Sequence, residues 1–500
     1  MSRTESFFGF TDSNERLLRL AKIMMALVPL LVGIFGLVST YHIIFIAEAL
    51  GGGPGRYIQG LTLLSALLVV QLIVQTALDY PTGSLGDHIG QRWVISSAYI
   101  CYGISFFLTS IITPESPFII FILIFALYAI GGSQESGAWA AWFDNNFRVA
   151  MPGDEDRKQY GVFQGRLGML VTISSIIAIV PGSILAAFFG RPWVFQIVAV
   201  VCFFIAILVV YLVQDFEEVK ESREARPSFK AYVGILKSGV TFLASQDLVK
   251  WLIIGDMLLL STMIVWSNFI IFPLFFAYLL TDVAVASFRT ILRIPGVFTE
   301  ERSGIWSQRF EPRKWIPRFR LIQTCGFLFY LLFAGLVFLF PPLTGGTIVQ
   351  FYFPNTDIIL LAAPLESLIP VAIMLVIFVI SGLLYAFASI LTQRVILDQI
   401  PNEIRNSIYS LIPTVAMLFA IPQILIVGPT IQSVGFIPAL LFIALVSLVG
   451  TYMIHKALSY PTPILDEKPH DSESQSLVEE NAFEDEVGLE IVDETELEPM

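Results

Sequence analysis

The chain has 500 residues, of which 56% are hydrophobic and only 14% charged, against about 25% charged in soluble domains. Most of it therefore belongs in lipid. The net charge of −12 comes from the tail: residues 461–500 hold 14 of the 41 acids and a single base, Lys468. The body is left near neutral, which excludes a nucleic-acid binder and gives no sign of a basic partner.

In chain order, the first twenty residues are mixed and charged, and the apolar run behind them is too long for a cleaved leader. Crossing the hydrocarbon takes about 20 apolar residues. Twelve runs qualify, at about 21–48, 57–81, 93–112, 117–143, 163–189, 193–213, 249–276, 278–299, 318–340, 367–391, 407–429 and 436–456. Lipid offers the backbone no water, so runs of this length must be helices. Internal Pro29, Pro181, Pro273, Pro295, Pro413 and Pro422 then mark kinks and close crossings. The expected architecture is all-α, with twelve transmembrane helices in two pseudo-symmetric six-helix bundles at 21–213 and 249–458. Residues 1–20 form an N-terminal segment, 214–248 a connector and 459–500 an acidic tail.

Orientation follows from the bases. With the N-terminus in the cytoplasm, the outer loops hold only Arg56 and Arg191, while the inner side collects Arg16, Arg19, Arg92, Arg148, Arg157 and the cluster from Arg302 to Arg320. Both termini and the connector are then cytoplasmic, and the membrane expected is the plasma membrane. The connector begins charged and becomes amphipathic, with Phe229, Val233, Leu236, Val240 and Leu243 on one helical face, which suits a helix lying in the interface. The 341–366 segment is rich in Pro, Gly and aromatics and reads as a packed outer cap. The acidic stretch 464–500 reads as disordered. Cys101, Cys202 and Cys325 are scattered through apolar runs with no His beside them, so they form neither a metal pattern nor a disulfide framework.

The stretch Gly83-Ser84-Leu85-Gly86-Asp87-His88-Ile89-Gly90-Gln91-Arg92-Trp93 is a polar, glycine-punctuated turn between the second and third runs. A worn copy begins at Gly304, 221 residues later, after the second run of the other half. Gly83 and Gly90 permit tight turns and close approach. Asp87 can accept from N–H groups at a helix start. Arg92 sits at the inner interface within reach of Asp144.

Gly83-x-Leu85-x-Asp87-x-x-Gly90-x-Arg92 resembles motif A of the major facilitator superfamily. Ser136 to Asp144, Arg157-x-x-Tyr160-Gly161 and Gly165-Arg166-x-Gly168 resemble its drug-exporter-like members, and Pro401 to Ser410 resembles the matching entry to helix 11. The likeness covers roughly 15–458. It implies that Gly83, Asp87, Gly90, Arg92 and Asp144 latch the two halves while the cavity opens outward, with Gly304, Arg313, Asp398 and Arg405 as counterparts in the second half. His88 and Gln91 replace the bases usual there, and Gln308 stands where the second copy needs an acid, so the second latch is expected to be weak. The other role open to all these residues is helix packing alone.

An ionisable residue within a span faces a cavity or a partner. Glu135, Asp256 and Arg289 qualify. In parts of the superfamily, helices 1, 4, 7 and 10 line the cavity, which puts Glu135 and Asp256 in place for substrate or proton. Carboxyls in apolar cavities exchange protons nearer neutral pH. Glu135 is therefore the first candidate for coupling, against a structural pair with Arg166. Asp256 is equally a helix-end polar contact. Arg289, with Arg293 on its face, either neutralises one of these acids or anchors an anionic substrate. His42 and Glu48 read as interface residues. Many rings and few charges suit an amphipathic or apolar compound.

The function expected is secondary transport of a small organic solute by alternating access, with proton-coupled efflux by an antiporter preferred. Metabolite uptake or uniport is the alternative, and a non-transporting receptor or scaffold a more distant one. Protons and the lipid bilayer are the other partners. No phosphate loop, metal spacing or nucleophile–base pair is visible, so neither an enzyme nor a cofactor is expected.

Overall fold

The structure, a computed structural model, describes residues 7–8, 10, 14–154, 157–221, 237, 241, 245–307, 309–342, 347–399 and 402–461. Some side chains within 80–88, 295–307 and 397–411 lie outside that description. The tail, and nearly all of the amphipathic part of the connector, also fall outside it.

Among the described residues twelve spans follow one another. Span 1 is Glu15–Val38 continued by His42–Leu50, span 2 is Leu61–Ile89, and span 3 is Gln91–Ile111. Span 4 is Phe118–Glu135 continued by Ala138–Ala150, span 5 is Lys158–Phe189, and span 6 is Arg191–Leu212. Span 7 is Asp247–Val265 running through a wide turn into Ile271–Tyr278, and span 8 is Asp282–Ser307. Span 9 is Pro312–Ile322 continued by Phe327–Leu339, and spans 10 to 12 are Leu368–Gln399, Asn402–Val434 and Phe436–Ala457. Eleven of these are long and apolar enough to cross a membrane on composition alone. The exception is span 8, whose apolar run is interrupted by Asp282, Arg289 and Arg293.

The packing repeats itself. Span 3 lies along span 6 as span 9 lies along span 12; span 1 meets spans 5 and 6 as span 7 meets 11 and 12; span 2 meets span 4 as span 8 meets span 10. The halves touch through span 2 against span 11 and span 5 against span 8, pairs that exchange when six is added to each number. The architecture is thus two six-helix bundles related by a pseudo-two-fold axis. Lipid removes the hydrophobic drive between helices, so small residues that let backbones meet carry the contact. Gly182 of span 5 is such a case against span 1: a Cβ there would lie 2.0 Å from the carbonyl oxygen of Leu37. Gly182→Val is expected to cost about 1–3 kcal/mol through overpacking, seen as a lower melting temperature of the purified protein. Gly161→Val, with no neighbour within 4 Å, is the control and should leave it unchanged.

Three features depart from the sequence reading. Span 2 stays helical through Ile89, so the expected turn at 83–93 shrinks to Gly90, whose φ of 98° ends the helix. The N-terminal segment is partly built in: Phe8 and Phe10 are buried against Phe163, and Arg166 donates to the Phe7 carbonyl. The cap at 341–366 contains an antiparallel hairpin, β1 (Ile348–Tyr352) and β2 (Ile359–Pro364). Its β-branched and aromatic residues favour strand, and it docks on the start of span 8 through Leu280 N–H to Ala362 O, 2.9 Å.

Candidate functional site

Spans 1, 4 and 7 are each interrupted within their length. Span 1 turns at Ser39–Tyr41. Span 4 stops at Glu135 and resumes at Ala138, with Gly137 at φ 75°, a conformation only glycine adopts without strain. Span 7 widens into a π-helical turn at Trp266–Ile270, a distortion frequent at functional sites. Broken helices at membrane depth survive where the freed groups find protein partners or line a cavity. Both conditions are met. Thr82 donates to the carbonyl of Ser133 at 2.8 Å, and a cavity of about 230 Å³ lies between the halves.

That cavity takes Ser39, His42 and Gln71 from spans 1 and 2, Tyr128 from span 4, and Asn268 and Arg289 from spans 7 and 8. Arg289 is its one permanently charged lining residue among the described residues. One of its nitrogens, Nη1, donates to Thr40 at 2.9 Å and Ser39 at 3.3 Å, and the guanidinium carbon sits 4.6 Å from the centroid of Phe272. It therefore pairs with neither Glu135 nor Asp256; it bridges to the broken turn of span 1. Arg293, one turn on, donates to Ser175 of span 5 at 2.6 Å.

Glu135 occupies the end of the first piece of span 4. It accepts from Tyr99 at 2.5 Å and Tyr102 at 3.0 Å, both on span 3, and Trp139 donates to the Tyr99 hydroxyl at 3.3 Å. The partner weighed from sequence, Arg166, is instead on the carbonyl of Phe7. Asp256 forms an ion pair with Arg320 at 2.5 Å, and Arg320 also donates to Thr392 at 2.9 Å. The pair lines a smaller hollow of about 50 Å³ with Gln323, Thr324 and Tyr385. Span 9 breaks beside it, where Cys325 holds φ 62° and its carbonyl accepts from Ser447 at 3.0 Å. The sequence groups Arg320 with the inner-surface bases; with its side chain 5% exposed, it belongs to the interior.

The face bearing the Gly51–Gly55 loop is closed by a bridge the sequence reading did not assemble. Arg191, at the head of span 6, grips Asp282 of span 8 with two nitrogens (Nε to Oδ2, 2.8 Å; Nη2 to Oδ1, 2.7 Å). Its third, Nη1, reaches Glu48 of span 1 at 2.6 Å. The guanidinium lies between the rings of Tyr41 and Phe276. Thr62 N–H to Gln432, 3.1 Å, joins the halves on the same face.

At the motif A stretch, Gly90 supplies the positive φ, but a Cβ at Gly83 would meet nothing within 4 Å. The close approach is at Gly86, where a Cβ would lie 2.3 Å from Gln91 Oε1. The Asp87 side chain lies outside the described residues. Arg92 lies over the ring of Trp93 at 5.0 Å. Asp144 is held by Arg157 and by Arg148 at 3.0 Å. Of the second-half counterparts, Arg313 is exposed at the head of span 9. The side chains of Gly304, Asp398 and Arg405 positions lie outside the described residues. No group of three or more metal-binding side chains occurs among the described residues.

A family model described as Major Facilitator Superfamily matches residues 23–360. The fold is similar to that of nucleoside transporter NupG, with a TM-score of 0.61 and 14% identity over 90% of this chain and 100% of that one. It is also similar to an auto inhibited POT family peptide transporter, with a TM-score of 0.60 and 12% identity over 89% and 97%. A POT family transporter in complex with 5-aminolevulinic acid gives a TM-score of 0.57 and 14% identity over 87% and 96%. No curated protein matches the chain.

Proposed function

The chain belongs to the Major Facilitator Superfamily, and we propose that it is a proton-coupled exporter of a small organic solute, working by alternating access at the cavity around Arg289. That it is a membrane-spanning secondary transporter rather than an enzyme follows from the family. Coupling and direction are our own reading. The observation that carries it is the cavity itself, set where spans 1 and 7 break, lined from span 4 by Phe125 and Tyr128, and given polar groups by both halves. Its Arg191 face is closed by a bridge between the halves, so this posture is one end of a rocking cycle. We take the Arg191 face as outer and both termini as cytoplasmic, from the distribution of bases.

Glu135 is the proposed proton carrier. Its two tyrosine partners stabilise a carboxylate, and the adjacent break lets its surroundings change as span 4 moves. The resemblance of Ser136–Asp144 to drug exporters supports export. The polar lining from Gln71 and Asn268 favours a second reading, uptake of a hydrogen-bonding metabolite, in keeping with the nucleoside and peptide transporters that share the fold. The test uses full-length protein in liposomes loaded with a pH dye, a solute panel and an imposed pH gradient. Glu135→Gln is expected to abolish gradient-driven flux while solute exchange without a gradient persists. Equal gradient-driven flux in wild type and variant would remove Glu135 from the coupling path.

A further inference from the structure

We infer that the cavity selects organic monoanions, with the substrate's carboxylate seated on Arg289. This rests on the cavity being the transport site, as proposed above. Arg289 is the only charged residue lining the cavity among the described residues. A guanidinium carries five donors in a fixed fork, and here only Nη1 is engaged, by two neutral hydroxyls. Those hydroxyls and the Phe272 ring orient the group without cancelling its charge. Its neighbour Arg293 is also held by a neutral hydroxyl, that of Ser175. A cation within a span is costly unless it meets a counter-charge or faces a cavity. Two other arginines largely withdrawn from solvent, Arg191 and Arg320, both meet carboxylates. Of these four, Arg289 and Arg293 are the two for which no carboxylate is supplied among the described residues, and of the two Arg289 is the one that lines the cavity.

The rest of the lining fits the body of such a solute. Tyr128, Phe125 and Phe272 offer ring faces, Asn268 and Gln71 offer amides, and the buried Nε2 of His42 has no partner. One cation matches one negative charge. A dianion would carry a surplus charge into a site with no second permanent cation in its lining among the described residues, so monocarboxylates are favoured over phosphate esters.

The experiment uses the purified full chain and three matched series: aromatic carboxylates (benzoate, 4-hydroxybenzoate, indole-3-acetate), their amides and their amines. Binding is read as thermal stabilisation against concentration, with exchange flux in liposomes as the second readout. In the wild type at least one acid should bind about ten- to hundredfold more tightly than its amide or amine, the worth of a hydrogen bond to a charged group. Arg289→Gln should erase that preference and Arg289→Lys should keep part of it. Asn268→Trp, which fills the cavity, should remove binding of every compound. A preference that survives in Arg289→Gln, or amides or amines binding as well as acids, overturns the inference; loss of that binding in Asn268→Trp would leave the cavity standing as the transport site. Binding indifferent to Asn268→Trp overturns the transport-site reading itself, and the inference with it. Silence from all three series counts against the inference. If Arg289→Gln does not fold, the wild-type comparison of acid with amide decides alone.

Discussion

Replacing Arg191 with methionine is expected to open the Arg191 face. The substitution leaves Glu48 and Asp282, only 15% and 12% exposed, as two carboxylates with their shared counter-ion gone. Breaking a buried pair by removing one partner costs about 3–5 kcal/mol. The bridge ties span 6 to spans 1 and 8, so the cost falls on the closed posture and is relieved by separating the halves. The ratio of closed to open on this face should fall by about two to three and a half orders of magnitude, at about 1.4 kcal/mol per decade. A cysteine placed at Asn268 in a background without Cys101, Cys202 and Cys325 reports this through its reaction with an impermeant thiol reagent added from the Arg191 side. The variant should react far faster than the wild type. Arg191→Lys keeps the charge but loses the two-pronged grip on Asp282, so it should fall between them. Identical rates in all three would mean that the bridge does not hold the face shut.

How much of this was written in the sequence differs between fold and site. The spans were legible because lipid demands a length and a composition, and both survive in any order of residues. Even span 8, diluted by Arg289 and Arg293, kept enough of the pattern to be placed. Motif A and its copy gave the doubling, which the exchange of span pairs between the halves now expresses as packing. Partners were a different matter. Glu135 and Asp256 were found because a carboxylate within an apolar run must be excused by something, but what excuses each is distant in sequence. Tyr99 and Tyr102 belong to span 3 and read there as ordinary aromatics. Arg320 lies in a run of bases that looked like inner surface, and only the break at Cys325 turns it inward. Arg191, Glu48 and Asp282 each sit at a helix end, where a lone charge is unremarkable. Their meeting depends on spans 1, 6 and 8 converging at one face, and no local pattern encodes that. The breaks in spans 1 and 7 were equally silent, since Ser39–Tyr41 and Trp266–Ile270 contain neither glycine nor proline.

The Asp256–Arg320 pair should respond to substitution asymmetrically. Asp256→Leu leaves the guanidinium of Arg320, 5% exposed, with Gln323 and Thr392 as neutral partners and its Nε already without one. Arg320→Leu leaves a carboxylate that is 24% exposed and lines a hollow, where water can still reach it. The first change is therefore expected to cost the full 3–5 kcal/mol, about what losing one partner of a buried pair costs, and the second less. Replacing both together should recover most of the loss, because two apolar residues need no counter-charge in this interior. The coupling energy from a double-mutant cycle, read by denaturation of the purified protein, is then large and favourable to the pair. Transport separates two roles for it. A pair that only holds spans 7 and 9 together should leave the stable double variant active. A pair that must part and re-form as the second bundle rocks should leave the double variant folded but inactive. Two single variants of equal and small cost would show that the ion pair is not carried at the depth its burial implies.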